Sequence, residues 1–295
     1  MVIAGGGMAG LSAALWLARY RRRVHVCDAG PARNEPAWAV HGYPGLPDPS
    51  PGELRGTLLE QALVAGAQHA ADEIVAVRGE ADDFTLDTSS GPLHARRIVL
   101  AYGLRDYLPD LPGLRELYGT SVFHCPDCDG PSVTGRRVGV LGADRDAARL
   151  ALYLLVWAND IVLLTRGEPL RLPRGGRTVL ADHAIDIVTD PVARAIGAEG
   201  RITGLELLDG ATLPLDALFF HLGSEPRCDL AGQLGCRTDR AGYIRVDSGQ
   251  QTSVRGVHAA GDIAGHPHLA VVAAAEGVRA ALSIHRSLLP GERKV

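Results

Sequence analysis

The stretch from Phe123 to Gly130 reads FHCPDCDG and places two cysteines, Cys125 and Cys128, with two residues between them. His124 precedes the pair and Asp129 follows it. A Cys-x-x-Cys motif can be half of a zinc site, a structural bridge, or a redox-active pair that moves electrons. If it opens a helix, the helix N-terminus favours the thiolate and can depress a thiol pKa to about 7 or below. The spacing alone leaves the three uses open.

A zinc site with four protein ligands would need a second Cys or His pair at ligand spacing. Cys228 and Cys236 have seven residues between them, which is outside the usual spacing of about two to four. Cys27 lies in a predicted buried strand. The residues therefore favour a redox role for Cys125 and Cys128, and we assign no metal ligands.

Residues 2–30 contain the elements that would position a nucleotide cofactor. A short apolar strand leads into Gly5-x-Gly7-x-x-Gly10, a helical pattern follows, and a second strand ends at Asp28. This is the dinucleotide-binding fingerprint in its required context. The glycines permit the tight turn, the approach of a pyrophosphate and close helix–strand packing, and the helix N-terminus presents N–H groups to phosphates. Asp28, 18 residues beyond Gly10, stands where a ribose-binding carboxylate belongs.

The composition is ordinary for an α/β protein, with 46% hydrophobic and 22% charged residues. A chain of 295 residues is long enough for two domains. The net charge of −4 gives no general attraction to nucleic acid or anionic lipid. The sequence has neither a membrane-spanning apolar run nor the charged start of a signal peptide. We therefore expect a cytoplasmic protein with no nucleic-acid or membrane partner, and mostly reduced thiols outside a catalytic pair.

Two further strands end in motifs of a similar kind. RRIVLAYGL ends at Ala101-Tyr102-Gly103, and GVHAAGDIAG ends at Gly261-Asp262 before a long alanine-rich helical pattern. With GGGMAG, YPG and CPDCDG, these motifs follow an order that resembles the low-molecular-weight thioredoxin reductase family of FAD flavoproteins across essentially the whole chain. The resemblance implies an α/β fold with two Rossmann-like nucleotide-binding domains. The FAD domain would be discontinuous, with the Cys-x-x-Cys domain inserted into it.

The resemblance also implies which residues bind FAD. Asp262 would contact the ribityl-phosphate part, while Tyr102 replaces the threonine that the family usually has. The expected cofactor-binding residues are Gly5, Gly7, Met8, Ala9, Gly10, Asp28, Ala29, Arg33, Gly45, Ala101, Gly103, Gly261 and Asp262.

In the family resembled, the second cysteine faces the flavin and the first attacks the substrate. Carried over, Cys128 would exchange electrons with the flavin and Cys125 would form the mixed disulfide. Asp129 matches the family's acid, which carries a proton to or from a departing thiolate. His124 is outside the usual pattern, and it either raises the thiolate population by its charge or is an ordinary, partly exposed histidine.

His268 stands where reductases of this family usually have an arginine, at the start of the last helix near the isoalloxazine. A histidine there can act as a proton acceptor for a substrate dithiol. The alternative is that His268 and the nearby His266 merely line a loop. We count His268 with Cys125, Cys128, Asp129 and His124 as the candidate catalytic residues.

Residues 136–167 repeat the strand–turn–helix–strand pattern where a thioredoxin reductase would bind NADPH. Here the expected second glycine of the turn is Asp144, whose side chain obstructs the backbone approach and whose charge repels a pyrophosphate. The arginine motif for the 2′-phosphate keeps Arg166 and Arg171 but has Thr165 in place of its histidine. We therefore expect FAD as the cofactor and regard NADPH as doubtful.

Three functions follow. The first is an FAD-dependent thiol–disulfide oxidoreductase that does not use NADPH, either a dithiol oxidase resembling the gliotoxin and holomycin enzymes, with oxygen as acceptor, or a ferredoxin-fed reductase. The second is an ordinary NADPH-dependent thioredoxin reductase. The third is a non-catalytic, flavin-bound redox sensor. A thioredoxin-like protein and a small dithiol or disulfide are the candidate substrates.

The order of the motifs predicts the domain organisation. The FAD-binding domain would comprise residues 1–115 and 241–295, and residues 116–240 would form the NADPH-binding-like domain that carries the cysteines. The linkers would be residues 109–113 and 239–242, which are rich in turn-forming residues. The resemblance also implies a homodimer.

Overall fold

The structure is a computed structural model that describes residues 1–265 and 267–290. The helices found there are α1 (Met8–Arg19), α2 (Pro51–Val64), α3 (Pro126–Asp129), α4 (Arg145–Leu154), α5 (Gly176–Asp182), α6 (Leu230–Gln233) and α7 (Ala270–Ser287). The strands of the first half are β1 (Val2–Ala4), β2 (His25–Cys27), β3 (Gln68–Ala70), β4 (Ile74–Glu80), β5 (Asp83–Thr88), β6 (Gly91–Ala95), β7 (Ile98–Leu100), β8 (Leu104–Asp106) and β9 (Val122–Phe123). Those of the second half are β10 (Arg137–Leu141), β11 (Asp160–Leu164), β12 (Asp186–Val188), β13 (Val192–Ala198), β14 (Arg201–Leu207), β15 (Thr212–Pro214), β16 (Ala217–Phe220), β17 (Ser224–Pro226) and β18 (Val257–Ala259).

The chain divides into two compact units. Unit 1 comprises residues 1–35, 43–105 and 224–295, and unit 2 comprises residues 36–42 and 106–223. The functional domain boundaries at 115/116 and 240/241 stay a prediction. Gly113, in the predicted linker, packs on β13, where its Cβ would lie 2.6 Å from the carbonyl oxygen of Ala195.

Unit 1 is built on a parallel sheet of five strands in the order β18-β7-β1-β2-β3. The strands β1, β7 and β18 are fully buried, and β1 and β7 accordingly read as unbroken apolar runs, while β18 carries the buried His258 between two apolar residues. A three-stranded antiparallel sheet, β4-β5-β6, is inserted after β3. The predicted strand–turn–helix–strand of residues 2–30 is confirmed as β1, α1 and β2.

Unit 2 repeats this plan. Its parallel sheet has the order β12-β11-β10-β16-β9, and its antiparallel sheet is β13-β14-β15. The turn and helix between β10 and β11 correspond to those between β1 and β2. The edge strand β9 occupies the sheet position that β18 occupies in unit 1, so the cysteines after β9 correspond in place to Gly261-Asp262 after β18. Both motifs therefore stand at carboxyl ends of parallel strands, where ligands of α/β sheets bind.

Helix α7 packs directly on α1 in unit 1. Gly277 makes this possible, because a Cβ there would lie 2.0 Å from the carbonyl oxygen of Ala9. The buried face of α7 continues through Ala280, Ala281 and Ile284. None of the helices in the described part of the chain has the length and apolar character needed to cross a membrane.

Candidate active site

The first glycine turn of unit 1 has the shape of a phosphate cradle. Gly5 has a φ of +107°, and a Cβ there would lie 2.3 Å from the carbonyl oxygen of Ala101. A Cβ at Gly10 would lie 1.9 Å from the carbonyl oxygen of Gly5. At Gly7, by contrast, no described atom lies within 4 Å of the Cβ position. Gly5 and Gly10 are thus required by packing, and Gly7 leaves an open space at the start of α1.

Gly7 is also the N-cap residue of α1, and no described side chain caps the helix. The first backbone N–H groups of α1, which starts at Met8 and Ala9, therefore lack a side-chain acceptor from the described residues. Such a helix start binds anions well. The FAD that the fold family implies has a pyrophosphate of the right charge, and the open position at Gly7 fits it.

Asp28 lies beside this turn, as predicted. A Cβ at Gly6 would lie 2.5 Å from an oxygen of the Asp28 carboxylate. Arg55 from α2 pairs with Asp28 and donates from Nε to the carbonyl oxygen of Gly6 over 2.9 Å. Nothing in the fingerprint indicated Arg55, because it lies 27 residues beyond Asp28 and only the fold brings them together.

The Gly261-Asp262 motif adjoins the same turn. A Cβ at Gly261 would lie 3.0 Å from the Cβ of Ala9, and the Gly261 N–H donates to the Glu276 carboxylate over 2.7 Å. Burial raises the pKa of Glu276, while this hydrogen bond opposes the rise. Glu276, from α7, was not predicted. It fixes the backbone of Gly261 against the start of α1.

Arg33 links two other predicted residues, Asp262 and His268. One nitrogen of Arg33, Nη1, lies 2.8 Å from Oδ2 of Asp262 and 2.9 Å from Nδ1 of His268. The Arg33 and Asp262 side chains are largely buried. The ring of Tyr243 packs edge-on against His268, with 5.6 Å between centroids. His266, named with His268 in the sequence, lies outside the described residues.

The other predicted cofactor residues lie at the end of β7 and in loops. Ala101 is buried at the end of β7, and Gly103 follows with a φ of +66°. Tyr102 accepts a hydrogen bond from the backbone N–H of Ala231, and burial raises its pKa to beyond the ordinary range of tyrosine. Tyr102 thus packs against the start of α6, which accounts for a residue larger than threonine. Ala29 and Gly45 lie in exposed loops.

Cys125 and Cys128 form a disulfide in unit 2, with their Cα atoms 5.3 Å apart. The Cys128 N–H donates to the sulfur of Cys125 over 3.2 Å. Cys125 is the N-cap residue of α3, so the motif opens a helix, which here is a single turn. Gly130 ends the motif because a Cβ there would lie 2.4 Å from the Trp157 ring.

Asp129 is the partly buried acid of this site. Burial raises its pKa to about 6, and the positive charge of His41 opposes that rise. A carboxyl group with this pKa exchanges protons readily near neutral pH. His41 belongs to the segment 36–42, which packs in unit 2 although the residues on both sides of it belong to unit 1.

The segment 36–42 is held against the chain that leads to the cysteines. The Trp38 N–H donates to the carbonyl oxygen of Gly119 over 3.2 Å, and the Trp38 ring packs edge-on against His41 at 4.8 Å. Gly119 has a φ of +86°, and a Cβ there would lie 2.1 Å from the carbonyl oxygen of Pro36. The charge of His41 therefore acts on Asp129 across a long sequence separation that no local pattern indicates.

His124 takes part in a polar cluster of unit 2. Its Nδ1 lies 2.9 Å from the Tyr118 hydroxyl, and its Nε2 lies 3.8 Å from the Asp106 carboxylate. The Tyr118 hydroxyl also lies 3.4 Å from Asp106. These contacts fix the imidazole ring of His124, the residue that directly precedes Cys125.

The turn between β10 and α4 differs from the first glycine turn at one decisive position. Asp144 is the N-cap residue of α4, and its Oδ1 accepts hydrogen bonds from the N–H groups of Asp146 at 3.1 Å and Ala147 at 2.9 Å. The carboxylate therefore occupies the N–H groups that a pyrophosphate would need.

The loop after β11 packs against the same turn. The Arg171 N–H donates to the carbonyl oxygen of Ala143 over 2.7 Å, so the loop is attached to the turn itself. Thr165, at the position of the family's histidine, is buried, and Arg166 has a φ of +56°. The backbone of the arginine motif thus packs against the turn.

The three remaining cysteines are poor nucleophiles. Burial raises the pKa of Cys27 to about 11 and also raises the pKa values of Cys228 and Cys236. Their thiolates are scarce at neutral pH. Thiol chemistry in this chain therefore concentrates on Cys125 and Cys128.

Comparisons with known proteins agree with this architecture. The family described as "Pyridine nucleotide-disulphide oxidoreductase" matches residues 1–277. "Thioredoxin reductase tcpT" of Claviceps purpurea is 34% identical over 278 residues, which are 88% of this chain and 85% of that protein. The thioredoxin reductase of Streptomyces coelicolor is 30% identical, with 96% and 91% covered. The crystal structure of HlmI is 36% identical, with a TM-score of 0.92 and 97% and 91% covered.

Proposed function

This chain belongs to the pyridine nucleotide-disulphide oxidoreductase family and is an FAD-dependent oxidoreductase, and we propose that it exchanges electrons with thiol substrates through Cys125 and Cys128 without using NADPH. The observation that carries the proposal is the Asp144 carboxylate, which caps the helix start where NADPH would place its pyrophosphate. Binding there would require breaking two hydrogen bonds and bringing like charges together.

Unit 1 supplies the residues for the cofactor. The N–H groups at the start of α1 and the open position at Gly7 suit the pyrophosphate, and Asp28 suits a ribose hydroxyl. Asp262, held by Arg33, is the carboxylate for the ribityl part. When bound, FAD supplies the two-electron chemistry that reduces or re-forms the Cys125–Cys128 disulfide.

Unit 2 supplies the thiol chemistry. A substrate thiolate attacks the sulfur of Cys125, a mixed disulfide forms, and Cys128 departs as a thiolate. The second thiol of the substrate then displaces Cys125, which leaves an oxidised substrate and a reduced Cys125–Cys128 pair. The assignment of Cys125 as the attacked sulfur follows the resemblance to thioredoxin reductases, since both cysteines are partly exposed.

Asp129 is the group that moves the protons. With its pKa at about 6, part of the population is protonated and can give a proton to the departing Cys128 thiolate. In its ionised form, Asp129 accepts a proton from a substrate thiol. His124, held by Tyr118 and Asp106, contributes positive charge near Cys125 when protonated.

A second candidate is an ordinary NADPH-dependent thioredoxin reductase. The names of the curated relatives favour it, and they bring a thioredoxin-like protein into consideration as the partner. A small dithiol is the alternative substrate. Without NADPH, the electron pair passes to oxygen in an oxidase or comes from a protein such as ferredoxin in a reductase.

The experiment that tests the proposal follows flavin absorbance of the FAD-loaded protein under anaerobic conditions. We expect a small dithiol to bleach the flavin and stoichiometric NADPH to leave it oxidised. Rapid bleaching by NADPH would contradict the proposal and establish the second candidate. On admission of air, fast reoxidation with peroxide identifies an oxidase, and slow reoxidation identifies a protein electron partner.

A Cys128→Ser variant serves as the control for thiol chemistry. We expect it to bind FAD and to resist bleaching by the dithiol, because the disulfide can no longer form. Cys236→Ser is the matched variant at a thiol whose pKa burial raises, and it should behave like the wild type. Biological activity that survives in Cys128→Ser would favour the redox-sensor function over catalysis.

A further inference from the structure

The contact of Arg33 with His268 fixes the state of the imidazole. Arginine remains protonated in proteins and can only donate hydrogen bonds. Its Nη1 carries two hydrogens, and the two acceptors at 2.8 and 2.9 Å are Oδ2 of Asp262 and Nδ1 of His268. Nδ1 of His268 must therefore present a lone pair to Arg33.

A histidine whose Nδ1 accepts a hydrogen bond, when neutral, carries its proton on Nε2. Protonation of Nδ1 would place that hydrogen against the N–H of Arg33 and break the contact. Nε2 already holds a proton in this tautomer. Neither nitrogen of His268 can therefore accept a proton while Arg33 stays in place.

Arg33 holds this arrangement from a protected position. Its side chain is 14% exposed, and the Asp262 carboxylate, 20% exposed, anchors it from the other side. The edge-on ring of Tyr243 restricts rotation of the imidazole. The Arg33 and Tyr243 contacts thus define the orientation of the ring.

We propose that Arg33 is the positioning residue that holds His268 as the neutral imidazole with its proton on Nε2. The proposal replaces the proton-acceptor role that the sequence suggested for His268. It leaves Asp129 as the proton acceptor of the thiol site. It rests on the proposed function only for the identity of the cofactor.

The test is a nitrogen spectrum of protein labelled with ¹⁵N-histidine, recorded without FAD and again after FAD loading. His268→Gln identifies the His268 signals. We expect the wild-type protein to show the neutral form with its proton on Nε2 across about pH 6 to 8, in both samples. A wild-type spectrum with a proton on Nδ1, in either sample, overturns the proposal.

Two substitutions of Arg33 separate positioning from folding. In Arg33→Met, His268 should shift to the charged form as pH falls through the ordinary histidine range. Arg33→Lys should restore the neutral form, because an ammonium group also carries donors for both acceptors. The exposed Arg240→Met is the matched control in unit 1 and should leave the spectrum unchanged.

Should Arg33→Met fail to fold, the wild-type spectrum still decides the question. The outcome is also independent of the electron donor, because the tautomer is read without any reductant. Bleaching by NADPH would therefore contradict the proposed function without affecting this inference. A proton on Nδ1 of His268 would contradict this inference without affecting the proposed function.

Discussion

Asp144 and Gly7 are N-cap residues of equivalent helices in the two units, and they differ in what occupies the helix start. At Gly7 the Cβ position has no described atom within 4 Å, whereas the Asp144 carboxylate accepts the N–H groups of Asp146 and Ala147. Both residues have extended backbone, with φ of −81° and −127°. The same local fold therefore leaves one anion site open and closes the other with a side chain.

Replacing Asp144 by glycine should open the second site. We expect Asp144→Gly to bind NADPH at least about tenfold more tightly than the wild type, since each tenfold corresponds to about 1.4 kcal/mol. The free energy of unfolding should change by only a few tenths of a kcal/mol, because glycine is an acceptable N-cap, whereas Asp144→Ala should lose about 1 kcal/mol. Calorimetric titration and urea unfolding measure the two effects.

The control for that experiment is Asp146→Asn in the first turn of the same helix. Asp146 is exposed and pairs with Arg149 at 3.2 Å, so its removal changes the charge by the same amount without uncapping α4. Equal gains in NADPH affinity for both variants would mean that charge alone, and not the cap, limits binding.

The pH dependence of disulfide formation should report the ionisation of Asp129. In the proposed mechanism its carboxylate accepts the proton of the substrate dithiol, so the single-turnover rate should rise with pH through the pKa of about 6. Asp129→Asn should lower the rate about 10²- to 10⁴-fold.

His41 offers a finer test of the same site. Its positive charge lowers the pKa of Asp129, so His41→Gln should raise that pKa and move the rising limb of the rate profile to higher pH. His221→Gln, at an exposed position of unit 2, should leave the limb in place. A profile that is unchanged in His41→Gln would remove His41 from the proton chemistry.

Because α7 packs closely on α1, the effect of a glycine-to-alanine substitution on stability should depend strongly on where the glycine lies. Gly277→Ala places a methyl group 2.0 Å from the Ala9 carbonyl oxygen, and we expect a loss of about 1 to 3 kcal/mol in stability together with weaker FAD retention. Gly56→Ala, on the exposed side of α2 with open space around it, should instead stabilise by about 0.5 to 1 kcal/mol. Urea unfolding of the two variants makes the comparison, and a neutral Gly277→Ala would contradict the packing.

His258 should make the protein sensitive to acid. The pKa of His258 is lowered from 6.5 to about 4, mainly by burial; Asp247 opposes this shift and Arg97 adds to it. Its Nε2 lies 3.1 Å from the Ser283 hydroxyl. Between these two pH values the unfolded chain binds a proton that the folded chain does not. Stability is therefore complete above about pH 6.5 and falls towards pH 4, by about 3 kcal/mol at most.

Denaturant unfolding at a series of pH values measures this loss. His258→Gln should flatten the dependence between pH 4 and 6.5, and the exposed His94→Gln should preserve it. If His258→Gln retains the full slope, another group must be responsible for the acid sensitivity.

Local sequence predicted the parts of this protein that local physics controls. Apolar runs indicated the buried parallel strands β1 and β7, because both faces of a parallel sheet are covered. The glycine spacing at Gly5, Gly7 and Gly10 indicated the turn, because backbone geometry there depends on the absence of a Cβ. The single departure at Asp144 indicated the altered second site for the same reason.

Features that local patterns left undetermined depend on distant parts of the chain. The helix that Cys125 opens is a single turn, and Gly130 at its end packs on Trp157. Gly113, in the predicted linker, packs on Ala195 of β13.

What the sequence determined by itself is the pair of Rossmann-like units and the glycine cradle. Only the tertiary structure decided which side chains complete these sites. Arg55 reaches Asp28, Glu276 reaches Gly261, and the segment 36–42 brings His41 to Asp129. Such partners are set by how helices and loops pack across long sequence separations. The periodicity of a sequence indicates which face of a helix or strand is buried, but it does not indicate which residues pack against that face.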